Sequence, residues 1–168
     1  FNFGDNFINW IQTFYTNISS AVKCNGFLTP YFNIERSVRQ GCPLSALLYT
    51  ICAQPLNSMI HSNSNIKGIG IPDSDKQSII YQHADDSTFT LYDEKSCDIV
   101  MECLDVYCAA SGAKINCYKT EVMFLGTYKH NPPQISFPFT LASETIQILG
   151  VYVGPNAKRC TEQNWSNK

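Results

Sequence analysis

The sequence predicts an α+β fold, an antiparallel sheet with helices on one face. Apolar residues recur at helical spacing in three separate stretches. Between them lie short β-forming runs broken by turn residues. With 168 residues, 44% of them hydrophobic, one ordinary domain or a large part of one can bury a core. Helices alternating with hairpins bury their apolar stripes best as a layer laid on one face of a sheet.

The elements follow in chain order. Phe7, Trp10, Ile11, Phe14 and Ile18 share one face of a first helix, with Asp5 or Asn6 available as its N-cap. Asn25-Gly26 then supplies the positive φ angles of a two-residue hairpin turn within Val22 to Leu28. A second helix carries Leu44, Leu47, Leu48, Ile51, Cys52, Leu56 and Met59, with Pro43 and Ser45 at its start. Pro55 inside it is expected to kink it, because the ring clashes with the carbonyl one turn back.

The polar run His61 to Asn65 releases the chain. Ile66 to Ile71 and Gln77 to Ala84 read as strands paired across Pro72-Asp73-Ser74-Asp75, and Ser87 to Tyr92 as a third strand. Ser96 is the expected cap of a third helix carrying Ile99, Val100, Cys103, Val106, Tyr107 and Ala110, stopped by Gly112. Glu121 to Leu125 is a strand, 127–138 a loop marked by Pro132-Pro133, and 139–141 and 145–153 are short strands. Residues 159–168 are polar and expected to fray.

Composition excludes some classes. The net charge of −2 provides no global basic field to recruit nucleic acid. No apolar run is long enough for a membrane span and no signal peptide is present, so an intracellular protein of nucleus or cytoplasm is expected, not a secreted one. Eight cysteines without a C-x2-C pair then read as reduced, mostly buried thiols, not as a zinc site or a disulfide framework. The same absence of secretion makes Asn17-Ile18-Ser19 and Asn164-Trp165-Ser166 chance matches to a glycosylation pattern. The chain begins on Phe1, as expected of a piece of something longer.

The most informative pair is Asp85-Asp86, two carboxylates inside an otherwise β-forming run from Ile79 to Leu91. Adjacent acids are poor strand formers and repel each other, so a tight turn holding both at its tip is expected. Such a tip can grip a hard divalent cation through oxygen ligands. By itself the dipeptide reads more simply as a solvated Asp-Asp turn.

Four stretches in order change that reading: Arg39-Gln40-Gly41-Cys42-Pro43-Leu44-Ser45, Ala84-Asp85-Asp86, Gly112 to Glu121 with its I-N-x-x-K-T-E run, and Leu149-Gly150-Val151. Together they closely resemble the reverse transcriptase of LINE-type (non-LTR) retrotransposons, from about Phe1 to Gly154. The resemblance implies a right-hand polymerase palm fragment that performs RNA-directed DNA synthesis with two Mg²⁺ ions. It implies partial fingers and palm over 1–126, a loop over 127–138, a primer-grip-like hairpin over 139–154 and a polar tail over 155–168. RNA template, DNA primer, deoxynucleoside triphosphates and the rest of a retrotransposon polyprotein would be the partners, with no membrane.

Residue by residue, the resemblance makes Asp85 the principal metal ligand and Asp86 its companion. Gln40 and Gly41 correspond to the loop under the nascent base pair, and Arg39 to a contact with the nucleic-acid backbone or incoming nucleotide. Lys119 corresponds to a lysine beside the triphosphate, and Leu149 and Gly150 to the hairpin that holds the primer end. Plainer readings stand beside these: a surface ion pair for Arg39, a loop glycine for Gly41, a solvated Lys119 and an ordinary strand at Leu149.

The sequence departs from the family at His83, usually aromatic, at Ser37, usually Gly, and at Gln54, usually Glu. His83 could stack or hydrogen-bond near the primer, or record decay of an element copy. The family's other metal-binding Asp, on an earlier strand, is expected upstream of Phe1, so the fragment alone is expected to be inactive. Two other functions compete: a non-catalytic nucleic-acid- or protein-binding remnant, and a stand-alone metal-dependent phosphotransferase that would need another acidic strand near Asp85.

Overall fold

Helices and small, mostly antiparallel sheets make up the protein in a computed structural model that describes residues 1–35, 37–133 and 138–166. The α+β composition is as expected, but the described strands form six two-stranded ribbons instead of one sheet. Their shortness is the reason: runs of two to four residues offer few ladder bonds and little buried face for a third strand to cover. The chain divides into two units, Phe1–Leu48 and the residues from Tyr49 onward.

In the first unit, α1 spans Asp5–Tyr15. Its N-cap is Gly4, without a side-chain cap, and Asp5 is instead the first helical residue, where its charge favours the positive helix end. Thr16 closes the helix through its N–H to the Gln12 carbonyl at 2.9 Å, so Ile18 falls beyond it. β1 (Ser19–Ser20) pairs antiparallel with β4 (Phe32–Asn33), and β2 (Lys23–Cys24) with β3 (Phe27–Leu28). The latter hairpin turns on Asn25 (φ 48°) and Gly26 (φ 87°), the two positive angles that Asn-Gly was expected to provide.

α2 (Pro43–Ser62) runs on through the division between the units and stays continuous across Pro55. Ser45 lies inside its first turn, buried, 3.4 Å from the Tyr15 hydroxyl. In the second unit, β5 (Ile69–Gly70) pairs with β6 (Gln77–Ser78), and β7 (Ile80–His83) with β8 (Asp86–Phe89). The expected single strand from Gln77 to Ala84 therefore changes partner at Ile79, whose carbonyl accepts from Thr90 N–H at 2.9 Å. A bridge between Gly68 and Leu91 ties the two ribbons together. Gly68 is required there, since a Cβ would overlap the Ser78 carbonyl.

α3 spans Glu94–Ser111 and ends on Gly112 at φ 72°, a left-handed stop. Its cap is Asp93, not Ser96. The Asp93 carboxylate accepts from Ser96 N–H at 2.9 Å and from the Ser96 hydroxyl at 2.6 Å. Ser96, fully buried, also accepts the Lys67 N–H at 2.8 Å, so it joins α3 to the chain 29 residues earlier. The core lies between these elements: Leu56 and Ile60 of α2, Ile66, Ile80 of β7 and Val100 of α3, flanked by Ile99, Cys103, Leu104 and Tyr107. Val106, expected on the core face, is exposed.

The Ser96 hydrogen bonds, more than the ion pair to Lys67 at 3.7 Å, hold the Asp93 carboxyl below its usual range. A depressed carboxylate adds stability above its unfolded pKa of about 3.9, and that stability is lost as pH falls through the lower folded value. Urea denaturation is expected to show Asp93→Ala costing about 2 kcal/mol at pH 7, as the cap is lost and buried Ser96 loses its acceptor. The difference from wild type should shrink as pH falls from about 3.9 towards the lower folded value and level off beneath it.

Further on, β9 (Glu121–Val122) and β10 (Thr140–Leu141) pair in parallel, the one exception to antiparallel order among the described strands. A 3₁₀ turn occupies Gly126–Lys129, leading into the expected loop 127–138, of which 134–137 lie outside the described residues. β11 (Ile146–Ile148) and β12 (Val151–Val153) form a hairpin, so 145–153 is two strands instead of one. The expected frayed tail instead forms α4 (Ala157–Ser166), with Cys160 buried; residues 167 and 168 lie outside the description. Polar composition hid this helix because only one small face of it is covered.

All eight cysteines are free, and Cys160 alone is buried, while Cys24 and Cys52 are exposed. The expectation of mostly buried thiols is corrected accordingly. Among the described residues no helix is long and apolar enough to cross a membrane.

Candidate active site

The β7–β8 hairpin is the natural starting point. Its register pairs Ile80 with Phe89, Tyr81 with Thr88, Gln82 with Ser87 and His83 with Asp86. The loop between is therefore Ala84-Asp85. Asp85 stands at the tip, whereas Asp86 begins β8 opposite His83, one position lower than expected. Both carboxylates are exposed.

Ala84 carries a φ of 50° and Asp85 does not have a positive angle. This is the pattern of a II′ turn, whose first position normally takes Gly. For an L-residue the left-handed angle costs roughly 1–2 kcal/mol, which the ladder and the core beneath must offset. Ile80 at the base of the hairpin is buried in that core, and Gln82 accepts from Asn57 Nδ2 of α2 at 3.4 Å. β7 is thus anchored in the core through Ile80 at its base and to α2 through Gln82, one pair short of the tip.

The Tyr49 hydroxyl of α2 feels the charge of these acids, which sequence reasoning missed. Burial pushes its hydroxyl pKa up, and Tyr107, Asp85 and Asp86 add to the shift in that order. Tyr49 lies on the α2 stripe that includes Leu56 and Ile60, seven and eleven residues on, and that spacing was the available signal. The Tyr107 hydroxyl fixes the same region by donating to the Cys52 carbonyl at 3.1 Å.

The other expected site residues occupy separate elements. Arg39, Gln40 and Gly41 form an exposed turn ahead of α2 in the first unit, closed by Cys42 N–H to the Arg39 carbonyl at 3.4 Å. Gly41 has φ 79°, and its missing side chain leaves open space. The Cys42 thiol beside it is drawn below its ordinary pKa, chiefly by the Leu44 backbone N–H. Lys119 is exposed on a turn anchored by Asn116, whose carbonyl and side-chain oxygen accept its N–H at 3.0 and 3.3 Å. Leu149 (φ 49°) and Gly150 (φ 82°) are the exposed two-residue turn of the β11–β12 hairpin. Of the expected residues, one hairpin brings together His83, Asp85 and Asp86.

Similarity to known proteins decides the family. The description "Reverse transcriptase (RNA-dependent DNA polymerase)" matches residues 1–153. The chain belongs to the reverse transcriptase family. A relative in Xenopus laevis, the "Transposon TX1 uncharacterized 149 kDa protein", is 32% identical over 155 residues, which cover 91% of this chain and 12% of that protein. Within this reverse transcriptase chain, no group of three or more His, Cys, Asp or Glu residues placed to hold a metal ion occurs among the described residues. The hairpin thus offers two carboxylates.

Proposed function

We propose that the chain is part of an RNA-directed DNA polymerase of the non-LTR, LINE type, and that the β7–β8 tip is its catalytic turn. The observation that carries this is the exposed Asp85-Asp86 hairpin lying inside the family match. In the reaction the primer 3′-oxygen bonds to the α-phosphorus of a deoxynucleoside triphosphate. The α–β phosphoanhydride bond breaks, pyrophosphate leaves, and the hydroxyl proton passes to solvent.

Two exposed carboxylates are hard oxygen donors and fit Mg²⁺, with Asp85 the principal ligand and Asp86 the weaker one. Bound there, Mg²⁺ would neutralise phosphate charge and position the reacting oxygens. His83, opposite Asp86, would face the primer end. Arg39 would contact nucleic-acid or nucleotide phosphate, and Gln40 and Gly41 would support the nascent pair where no side chain obstructs. Lys119 would stabilise charge on departing pyrophosphate, and Leu149-Gly150 would hold the primer. Residues 1–126 would be partial fingers and palm, and 139–154 a primer-grip-like hairpin.

Two carboxylates on one hairpin make an incomplete octahedral set for Mg²⁺. The 168 residues alone are therefore expected to show no RNA-templated primer extension, whereas a longer protein containing them and a further acidic strand should. Extension by the purified 168-residue chain, lost in Asp85→Ala, would contradict that inactivity. If the longer protein with its acidic strand is inert and binds primer–template weakly, the non-catalytic remnant is the better reading. The net charge of −2 favours that weak, salt-sensitive binding.

A further inference from the structure

We propose that Asn164 is a positioning residue for the primer strand, acting from α4 by locking the β11–β12 hairpin. The inference rests on the reading of Leu149-Gly150 as the primer-holding tip. α4 lies beyond residues 1–153, so the family match assigns it nothing.

In the hairpin, Ile148 and Val151 flank the two-residue turn and form the first pair. The next pair, Gln147 with Tyr152, is then non-hydrogen-bonded, and the Tyr152 N–H and C=O point away from β11. Asn164 takes both. Its Oδ1 accepts the Tyr152 N–H at 2.8 Å and its Nδ2 donates to the Tyr152 carbonyl at 2.9 Å. The side-chain amide thereby stands where a third strand's peptide group would stand.

The helix is held along the same face. Cys160, one turn before Asn164 and buried, places its thiol 3.9 Å from the Gly154 carbonyl. Arg159 pairs with Glu144, just before β11. Gly154 packs so closely that a Cβ would overlap the Glu144 carbonyl.

The hairpin needs such a hold. Two strands of three residues are marginal alone, and Leu149 at φ 49° adds left-handed strain at the tip. One residue, Val151, separates Gly150 from Tyr152, so the Asn164 bonds fix the tip almost directly.

The test is steady-state kinetics of the full-length polymerase carrying Asn164→Ala, Asn164→Asp or Gly150→Val. Asn164→Asp is nearly isosteric, but it sets a carboxylate oxygen against the Tyr152 carbonyl. Both Asn164 variants are expected to raise KM for primer–template about tenfold, leaving kcat and the nucleotide KM within about twofold. Amide exchange across residues 145–153 should accelerate in parallel. If Gly150→Val raises the primer–template KM and neither Asn164 variant does, the positioning role fails while the hairpin reading stands. If none of the three changes it, the hairpin reading fails and the inference with it. A uniform fall of all parameters in Asn164→Asp, tracking loss of the folded state, would make Asn164 merely structural and also overturn the proposal.

Discussion

Asp85→Asn in the full-length polymerase should lower single-turnover primer extension by at least about a thousandfold, close to 4 kcal/mol of transition-state stabilisation. The substitution keeps the shape of the side chain and removes its charge and one oxygen donor. Because Asp85 is exposed at a turn, folding stability should move by no more than about 0.5 kcal/mol. The loss therefore belongs to the chemistry. Asp86→Asn should cost less, since Asp86 sits one position down β8 opposite His83. Equal activity of Asp85→Asn and wild type would remove this hairpin from the active site.

Ile60→Ala should have the largest effect on stability, about 3–4 kcal/mol by urea denaturation. Ile60 is 0% exposed, and its neighbours Leu56, Ile66, Ile80 and Val100 come from four different stretches of chain. No single neighbour can move into the void without disturbing another element. The loss is a large share of the 5–15 kcal/mol typical of a domain. Leu47→Ala on the same helix, at a residue 64% exposed, should change stability by under about 0.5 kcal/mol. Comparable losses from both would mean that α2 does not bury the face described.

What could be read from the sequence was set by range. Asn25-Gly26 and Gly112 announce their turns because the required φ angles belong to the residues themselves. The α2 and α3 helices were legible because helical periodicity is local. Their buried faces were read only in part: Leu47, Cys52 and Val106 are exposed, and fully buried Ile60 was not on the expected stripe. Strand partnering was not legible, since the change at Ile79 depends on Lys67, Gly68 and Leu91 meeting across more than ten residues. Ser96 looked like a cap, but a tertiary bond from Lys67 claims its hydroxyl and leaves capping to Asp93. α4 was missed because the contacts that hold it, among them the Asn164 amide, the Cys160 thiol and the Arg159–Glu144 pair, leave no apolar stripe in the sequence.

The candidate site divides the same way. The Asp85-Asp86 turn was visible because adjacent acids resist a strand, yet which acid occupies the loop depended on the His83–Asp86 register. Tyr49 went unnoticed because an aromatic residue on a core stripe ordinarily signals packing alone. The influence of the acids on its hydroxyl is a property of the assembled helix and hairpin.

Position 84 has a narrow vocabulary. The turn that lifts Asp85 asks Ala84 for a backbone conformation natural to a residue of the opposite hand. A single methyl tolerates it, glycine would relax it, and a β-branched side chain would resist it. Substitutions here are filtered by chirality before any contact with nucleotide or primer is considered.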